Sequence, residues 1–185
     1  MIRIIAGEYR GRKLKVPRGI DIRPSSDQLR EGLFNMLYTI VDFENMIILD
    51  LYAGTGALGL EALSRGAKKV FFIEISQKNM SVLKKNVDLI SPEKKCFELI
   101  KDSSEKWLTR FTDPGHPCIV FLDPPFYGNE YELILNKLNV LKSIRVGSLI
   151  VVEYNQTREI IYPESLLPLK NRHYGSVKID ILVKH

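Results

Sequence analysis

Apolar positions fall along the chain in two alternating periods, and that alternation predicts the fold before any chemistry is considered. Residues 47–49 (Ile-Ile-Leu) form a short unbroken apolar run ending on Asp50, and residues 70–73 form another ending on Glu74. Runs this short and continuous are the signature of strands buried on both faces. Between them residues 57–65 carry helix formers, with Gly66 where a carboxyl-terminal cap is expected. Residues 76–90 place Met80, Leu83, Val87 and Ile90 on one side and Lys78, Lys84 and Lys85 on the other, an amphipathic helix. Residues 96–100, 119–122 and 148–154 read as further buried strands, with helices expected at 103–111 and 130–142. Residues 112–117 are a loop by composition, and 174–183 alternate as an edge hairpin strand does. Strand and helix thus alternate through residues 46–154, which predicts an α/β fold: right-handed crossovers and a mostly parallel sheet covered on both faces.

The first forty residues follow a different pattern. Residues 3–6 and 13–16 are strand-like around Gly7 and Gly11, predicting a hairpin with Tyr9, Arg10 and Arg12 near its tip. Pro17, Gly19 and Pro24 mark a connector. Ser25 or Ser26 then caps a helix, with Gln28 as capping-box partner to Ser25. Leu29, Leu33, Leu37 and Ile40 give that helix an apolar face, and Gly32 is a weak point costing ~1 kcal/mol relative to alanine. The expected division is an amino-terminal hairpin-and-helix extension over residues 1–42 and a main domain over 43–185.

Charge changes this picture. Residues 1–30 hold eight basic side chains against three acidic, an excess equal to the net charge of +5 for all 185 residues. A basic arm on an otherwise neutral domain is the footprint of a phosphate-rich partner, although a solvated surface hairpin would carry the same charge. Arg3, Glu8 and Arg10 interrupt the opening residues, and no apolar run reaches membrane-spanning length, so a cytoplasmic protein without membrane contact is expected. Cys96 and Cys118 lack paired spacing and His116, His173 and His185 are scattered, so no metal site is expected.

The candidate chemistry lies at the strand ends. Asp50, Glu74, Asp102 and Asp123 each close a successive apolar strand, on the sheet edge where such folds bind ligands. After Asp50, Gly54 and Gly56 allow a tight turn, and Glu74 follows about 20 residues later, where a ribose-binding acid belongs. The Gly-Lys-Ser/Thr of a phosphate loop is absent, and residues 53–59 hold no cation to neutralise a diphosphate. A cofactor with ribose, adenine and a cationic centre fits better. Glu74 can accept from both ribose hydroxyls, Asp102 from an adenine amino group, and Asp50 or Asp123 can face the positive charge. That describes S-adenosylmethionine. Tyr52, Ala53 and Thr55 in the turn, with Ile75 and Ser103 beside the acids, complete the candidate cofactor site.

Directly after the fourth buried strand stand Asp123-Pro124-Pro125-Phe126, whose two prolines forbid both helix and central ladder. Here the sequence resembles the exocyclic-amine methyltransferases. That resemblance implies that the Asp123 carboxylate and Pro124 carbonyl accept the hydrogens of an aryl amine, that the prolines fix both acceptors, and that Phe126 stacks on the target base. Five segments carry a closer likeness: RIIAGEYRGRKLKVP from Arg3, RPSSDQLREGLFNML from Arg23, LDLYAGTGALGLEALSRGA from Leu49, DPPF from Asp123 and RHYGSVKIDIL from Arg172. Together they resemble the bacterial RsmD family, over almost the whole chain. The resemblance implies a Rossmann-like class I S-adenosylmethionine-dependent methyltransferase fold with a small RNA-gripping extension. Its implied activity is methylation of guanine N2 in 16S ribosomal RNA, by a monomer acting on a small-subunit assembly particle. By the same resemblance Gly54, Gly56, Glu74 and Asp102 hold the cofactor and residues 123–126 the guanine. Tyr9, Arg10, Arg12, Lys13, Arg23 and Arg30 are the candidate RNA contacts. Tyr52 stands where phenylalanine is common in that family, and Gly32 and Met36 where larger residues are usual. A DNA adenine-N6 methyltransferase, a non-catalytic RNA-binding assembly factor and a protein-glutamine methyltransferase remain as alternatives.

Overall fold

A computed structural model describes residues 2–17, 26–90, 96–112, 114–125 and 129–185. The expected contacts Arg23 and Phe126 and the cap position Ser25 lie outside them. In chain order the elements are β1 (Ile2–Arg3), β2 (Lys13–Leu14), α1 (Ser26–Tyr38), β3 (Ile47–Asp50), α2 (Ala57–Ser64), β4 (Lys69–Ile73) and α3 (Gln77–Ile90). There follow β5 (Phe97–Ile100), α4 (Ser104–Leu108), β6 (Cys118–Leu122), α5 (Glu130–Val140), β7 (Leu149–Asn155), β8 (Leu166–Tyr174) and β9 (Val177–Lys184).

Seven strands make one sheet in the order β5-β4-β3-β6-β7-β9-β8, parallel through β7 and antiparallel at β9 and β8. The chain leaves β3 outward through β4 to β5, then returns to β6 and proceeds the other way. The order therefore reverses between β3 and β6, which opens a crevice at their carboxyl ends. Register fixes what stands there. Asp50 pairs with Phe121 and with Phe72, so Asp123 and Glu74 each emerge two residues beyond the level of Asp50.

Strand alternation divides the core in two. Ile48, Ile119 and Phe121 face a cluster shared with α1, α2 and α3, whereas Leu49, Val120 and Leu122 face one shared with α4 and α5. Helix α2 lies very close to the sheet: a Cβ on Gly59 would sit 2.2 Å from Cε1 of Phe72. Gly32 is likewise a packing device and not merely a weak point, since a Cβ there would meet the Tyr174 hydroxyl at 1.7 Å. This is the space that a smaller residue than usual leaves for β8.

Strand β8 is absent from the sequence reading. Its burial pattern shows little alternation, with a run of exposed residues over 167–169, and it is interrupted by Pro168 with a register shift before Lys170. An edge strand buries too little to leave a hydrophobic period. The amino-terminal hairpin was placed correctly, but its ladder is two residues on each side.

That short hairpin is held by side chains of the main sheet's helices. Glu61 of α2 is fully buried and accepts from the Ile5 N–H at 2.7 Å, the Ala6 N–H at 3.0 Å and Arg65 Nε at 2.7 Å. Ser64 Oγ donates to the Ala6 carbonyl and accepts from the Tyr9 N–H, and a Cβ on Gly7 would strike the Ser64 carbonyl oxygen at 1.7 Å. Asn86 of α3 accepts from the Lys15 N–H and donates to the carbonyls of Lys15 and Thr55. The apolar face of α1 joins the same core through Leu29, Leu33, Phe34 and Leu37. Removing one partner of a buried ionic network leaves the others uncompensated, so Glu61→Ala should cost about 3 kcal/mol in urea unfolding. The Ile5 and Ala6 amides should lose hydrogen-exchange protection ahead of the β3 amides.

Candidate active site

At the crevice between β3 and β6 lies a cavity of about 220 Å³ lined by Arg30, Asp50, Tyr52, Gly54, Asp123 and Glu153, among others. Each acid arrives for a local reason. Asp50 is the last residue of β3, and its Oδ2 accepts from the Gly59 N–H at 3.1 Å, tying the strand to the first turn of α2. Asp123 follows β6, where Pro124 and Pro125 end the ladder. Glu153 stands in β7 with the same strand-end logic, and sequence reasoning passed over it although an acid after an apolar run was the signal in use.

The glycine turn is built by its own hydrogen bonds. The Ala53 N–H donates to the Ile73 carbonyl, Gly54 N–H to Glu74 Oε2 at 2.9 Å, and Gly56 N–H to the Ala53 carbonyl at 2.6 Å. Gly54 adopts φ +55° and a Cβ there would meet nothing nearer than 3.8 Å, so the backbone is open on the cavity side. Gly56 differs. At φ +81° its missing Cβ leaves room for Leu83 of α3 at 2.4 Å, a close approach to the core.

Glu74 is buried and already organises its surroundings: besides Gly54 it accepts from the Ser76 N–H at 2.6 Å and Asn79 Nδ2 at 3.3 Å. Ile75 next to it is 67% exposed. Asp102 reaches the same sheet edge but is paired, accepting from Arg110 Nη2 at 2.5 Å and from the Ser103 N–H at 2.8 Å. The Arg110 bond holds its carboxyl below the usual range. Ser103 caps α4 by accepting from the Lys106 N–H. Thr55 meets Asn86 through its carbonyl, and the Tyr52 hydroxyl makes a very short bond to Glu130 at the start of α5.

Electrostatically the cavity is anionic. Burial, followed by the charges of Asp123 and Glu74, raises Asp50 from 3.8 to about 7, against the lowering effect of the Gly59 N–H. Together with Glu153 these acids leave a site poised for a positively charged ligand. An open glycine backbone, a buried ribose-type acid, an uncovered isoleucine and an anionic pocket without lysine suit a cofactor carrying ribose, a base and a cationic centre.

The expected RNA contacts separate into two groups. Arg10, Arg12 and Lys13 are exposed on the hairpin, and Tyr9 is half-buried against the core. Arg30 does not belong with them: it is only 4% exposed, donates to the Arg3 carbonyl and to Asp27, and lines the cavity. A cation counted as part of a basic surface is in fact inside the site, because α1 packs that face inward.

Among the described residues no helix is long and apolar enough to cross a membrane, and no group of three or more metal-type ligands occurs.

Comparison with known proteins accords with this geometry. The chain is 39% identical to a Haemophilus influenzae protein named Ribosomal RNA small subunit methyltransferase D, over 95% of this chain and 90% of that one. Identity is also 39% to the Escherichia coli K12 protein of the same name, covering 82% and 74% of the two. Among solved structures, yhhF from Escherichia coli superposes with a TM-score of 0.86 at 31% identity, over 100% of this chain and 98% of the other. The fold is the α/β fold of S-adenosylmethionine-dependent methyltransferases. The family model described as Conserved hypothetical protein 95 matches residues 2–183, and the chain therefore belongs to that family, the RsmD methyltransferases.

Proposed function

We propose that this protein transfers a methyl group from S-adenosylmethionine to the exocyclic N2 of a guanine in 16S ribosomal RNA, acting as a monomer on a small-subunit assembly particle. The observation that carries this reading is the placement of Asp123, followed directly by the Pro124-Pro125 step, in one anionic cavity with Asp50 and the glycine turn. The exposed Arg10, Arg12 and Lys13 on the hairpin bound to α2 support the RNA partner, as does the name of the relatives.

When bound, the cofactor supplies a methyl carbon made electrophilic by its sulfonium. The protein's work is on the acceptor. A guanine N2 is a poor nucleophile because its lone pair is delocalised into the ring. The Asp123 carboxylate and Pro124 carbonyl accept hydrogen bonds from its two N–H groups, draw the nitrogen toward tetrahedral geometry and free the lone pair; as the nitrogen–methyl bond replaces the methyl–sulfur bond, leaving a neutral thioether, one of those protons departs on the Asp123 side. The fixed prolines make this orientation and preorganised electrostatics more than base catalysis. Gly54 opens the backbone to the cofactor, Glu74 accepts from its ribose, Ile75 covers its base, and Asp50 faces its cationic end. Asp102 serves the adenine amino group with the carboxylate lone pairs that Arg110 leaves. The alternative target, adenine N6 in DNA, asks for the same acceptors; the ribosomal relatives favour RNA.

Three outcomes follow. Asp123→Ala should abolish methyl transfer to small subunits while calorimetry still shows cofactor binding; undiminished transfer would exclude the mechanism. For Asp50, raised to about 7, the folded protein holds a proton that the unfolded chain has released between about pH 4 and about pH 7. Its contribution to stability is thus full below about pH 4 and lost as pH rises through about 7, whereas a bound cation favours the ionised form. Cofactor affinity should therefore climb roughly threefold to tenfold from about pH 6 to about pH 8, and Asp50→Asn should flatten that climb. Finally, RNA affinity should fall steeply with salt, and replacing Arg10, Arg12 and Lys13 with alanine should lower the log–log salt slope by about 2.

A further inference from the structure

Arg30 presents a donor that the fold itself does not satisfy. Its side chain is 5% exposed, and it lines the cavity that Asp50 and Asp123 also line. One nitrogen is committed: Nη2 donates to the Arg3 carbonyl at 2.6 Å and to Asp27 Oδ1 at 2.8 Å. Those bonds tie β1 to α1 and account for a structural role. They do not account for Nε, which is buried and has no hydrogen-bond partner. Among the described residues it is the one such atom on a side chain lining this cavity.

A buried donor left unpaired is costly, and this one cannot be relieved by losing its proton. Burial lowers the Arg30 pKa while Asp27 raises it, yet a guanidinium stays charged in proteins and carries no acceptor. Whatever completes Nε must offer a lone pair. The cavity's charged groups are otherwise carboxylates suited to cations and amines, so among the described residues Arg30 gives the lining its one cationic donor.

Base chemistry identifies the acceptor. With an exocyclic amine held against Asp123, the same edge of the base continues differently in each purine. Guanine presents N1–H and then the O6 acceptor. Adenine presents N1 and then a C2–H, which offers no lone pair. We propose that Arg30 is a specificity-determining residue, its Nε–H donating to O6 of the target guanine while Asp123 holds the N2 amine. The inference rests on the guanine-N2 reading above and adds the group that separates guanine from adenine. Because Arg30 is anchored on the Arg3 carbonyl, the strand that opens the RNA-gripping arm also sets the base reader. Sites built to hydrogen-bond one substrate group reject analogues lacking it far more strongly than apolar pockets reject a missing methylene.

The test uses small-subunit RNA in which the target guanine, mapped first with the unaltered protein, is replaced by 2-aminopurine, which keeps the N2 amine and lacks O6. Single-turnover transfer by the unaltered protein should be about 10- to 100-fold slower on 2-aminopurine than on guanine. Arg30→Met should slow transfer to guanine to a similar level, cause little further loss on 2-aminopurine, and so erase the discrimination. Arg30→Lys should restore part of it. Cofactor affinity within about twofold of the unaltered protein would show that the variants keep the site folded. Equal rates on the two bases by the unaltered protein would overturn the assignment without any variant, and so would discrimination that survives in Arg30→Met. Absence of N2-methylguanine from the unaltered protein's product would instead overturn the guanine-N2 reading and this inference with it.

Discussion

One buried carboxylate, that of Glu61, ties the basic amino-terminal arm to the helix that also holds the cavity acid Asp50, and Ser64 and Asn86 reinforce the join. An ionised Glu61 alone in the core would cost several kcal/mol, and it is stable there because two backbone amides of the arm and the Arg65 guanidinium converge on it. Arg65 in turn lies over the rings of Phe34 and Tyr38 on α1. The arm and the helix that follow it are therefore not a tethered module. They share a core with the sheet, and α2, the helix that carries Glu61, is the same helix whose Gly59 N–H holds Asp50.

This sharing explains the site's economy. Eight residues of α2 fix the arm at one end and the cavity acid at the other, so the distance between the basic arm and the cavity is set by one helix. The reversal of strand order supplies the crevice, and acids at the strand ends give it sign. The prolines at 124 and 125 keep two acceptors still without needing a helix or ladder to do so.

Much of this was legible in the sequence, for identifiable reasons. A strand buried on both faces leaves an unbroken apolar run, so β3, β4, β6 and β7 could be placed from the order of apolar residues, together with Asp50, Glu74 and Asp123 though not Glu153. What failed was whatever depended on a neighbour distant in the chain. Counting charges placed Arg30 on the surface, because a basic residue's burial is decided by what packs on α1. Glu61 looks like one more helix former until its partners Ile5 and Ala6, 56 and 55 residues earlier in the chain, are brought to it. The packing of Leu83 against Gly56 could not be read from the glycine pattern, and Asp102 was visible as an acid while its pairing with Arg110 was not. Periodicity reports exposure along one element; it carries no information on which side chain meets which.

Strand β8 has a bearing on whether other chains can extend the sheet. It forms the outer border of a seven-stranded sheet, with Leu167 and Leu169 both 45% exposed, a combination that invites strands of other chains to add on. Pro168 sits between those leucines and the ladder slips before Lys170, so the border has a missing N–H and a bend where the apolar surface is greatest. A border with a bend and a missing donor at its most apolar point is a poor template for a strand of another chain, and the sheet ends there.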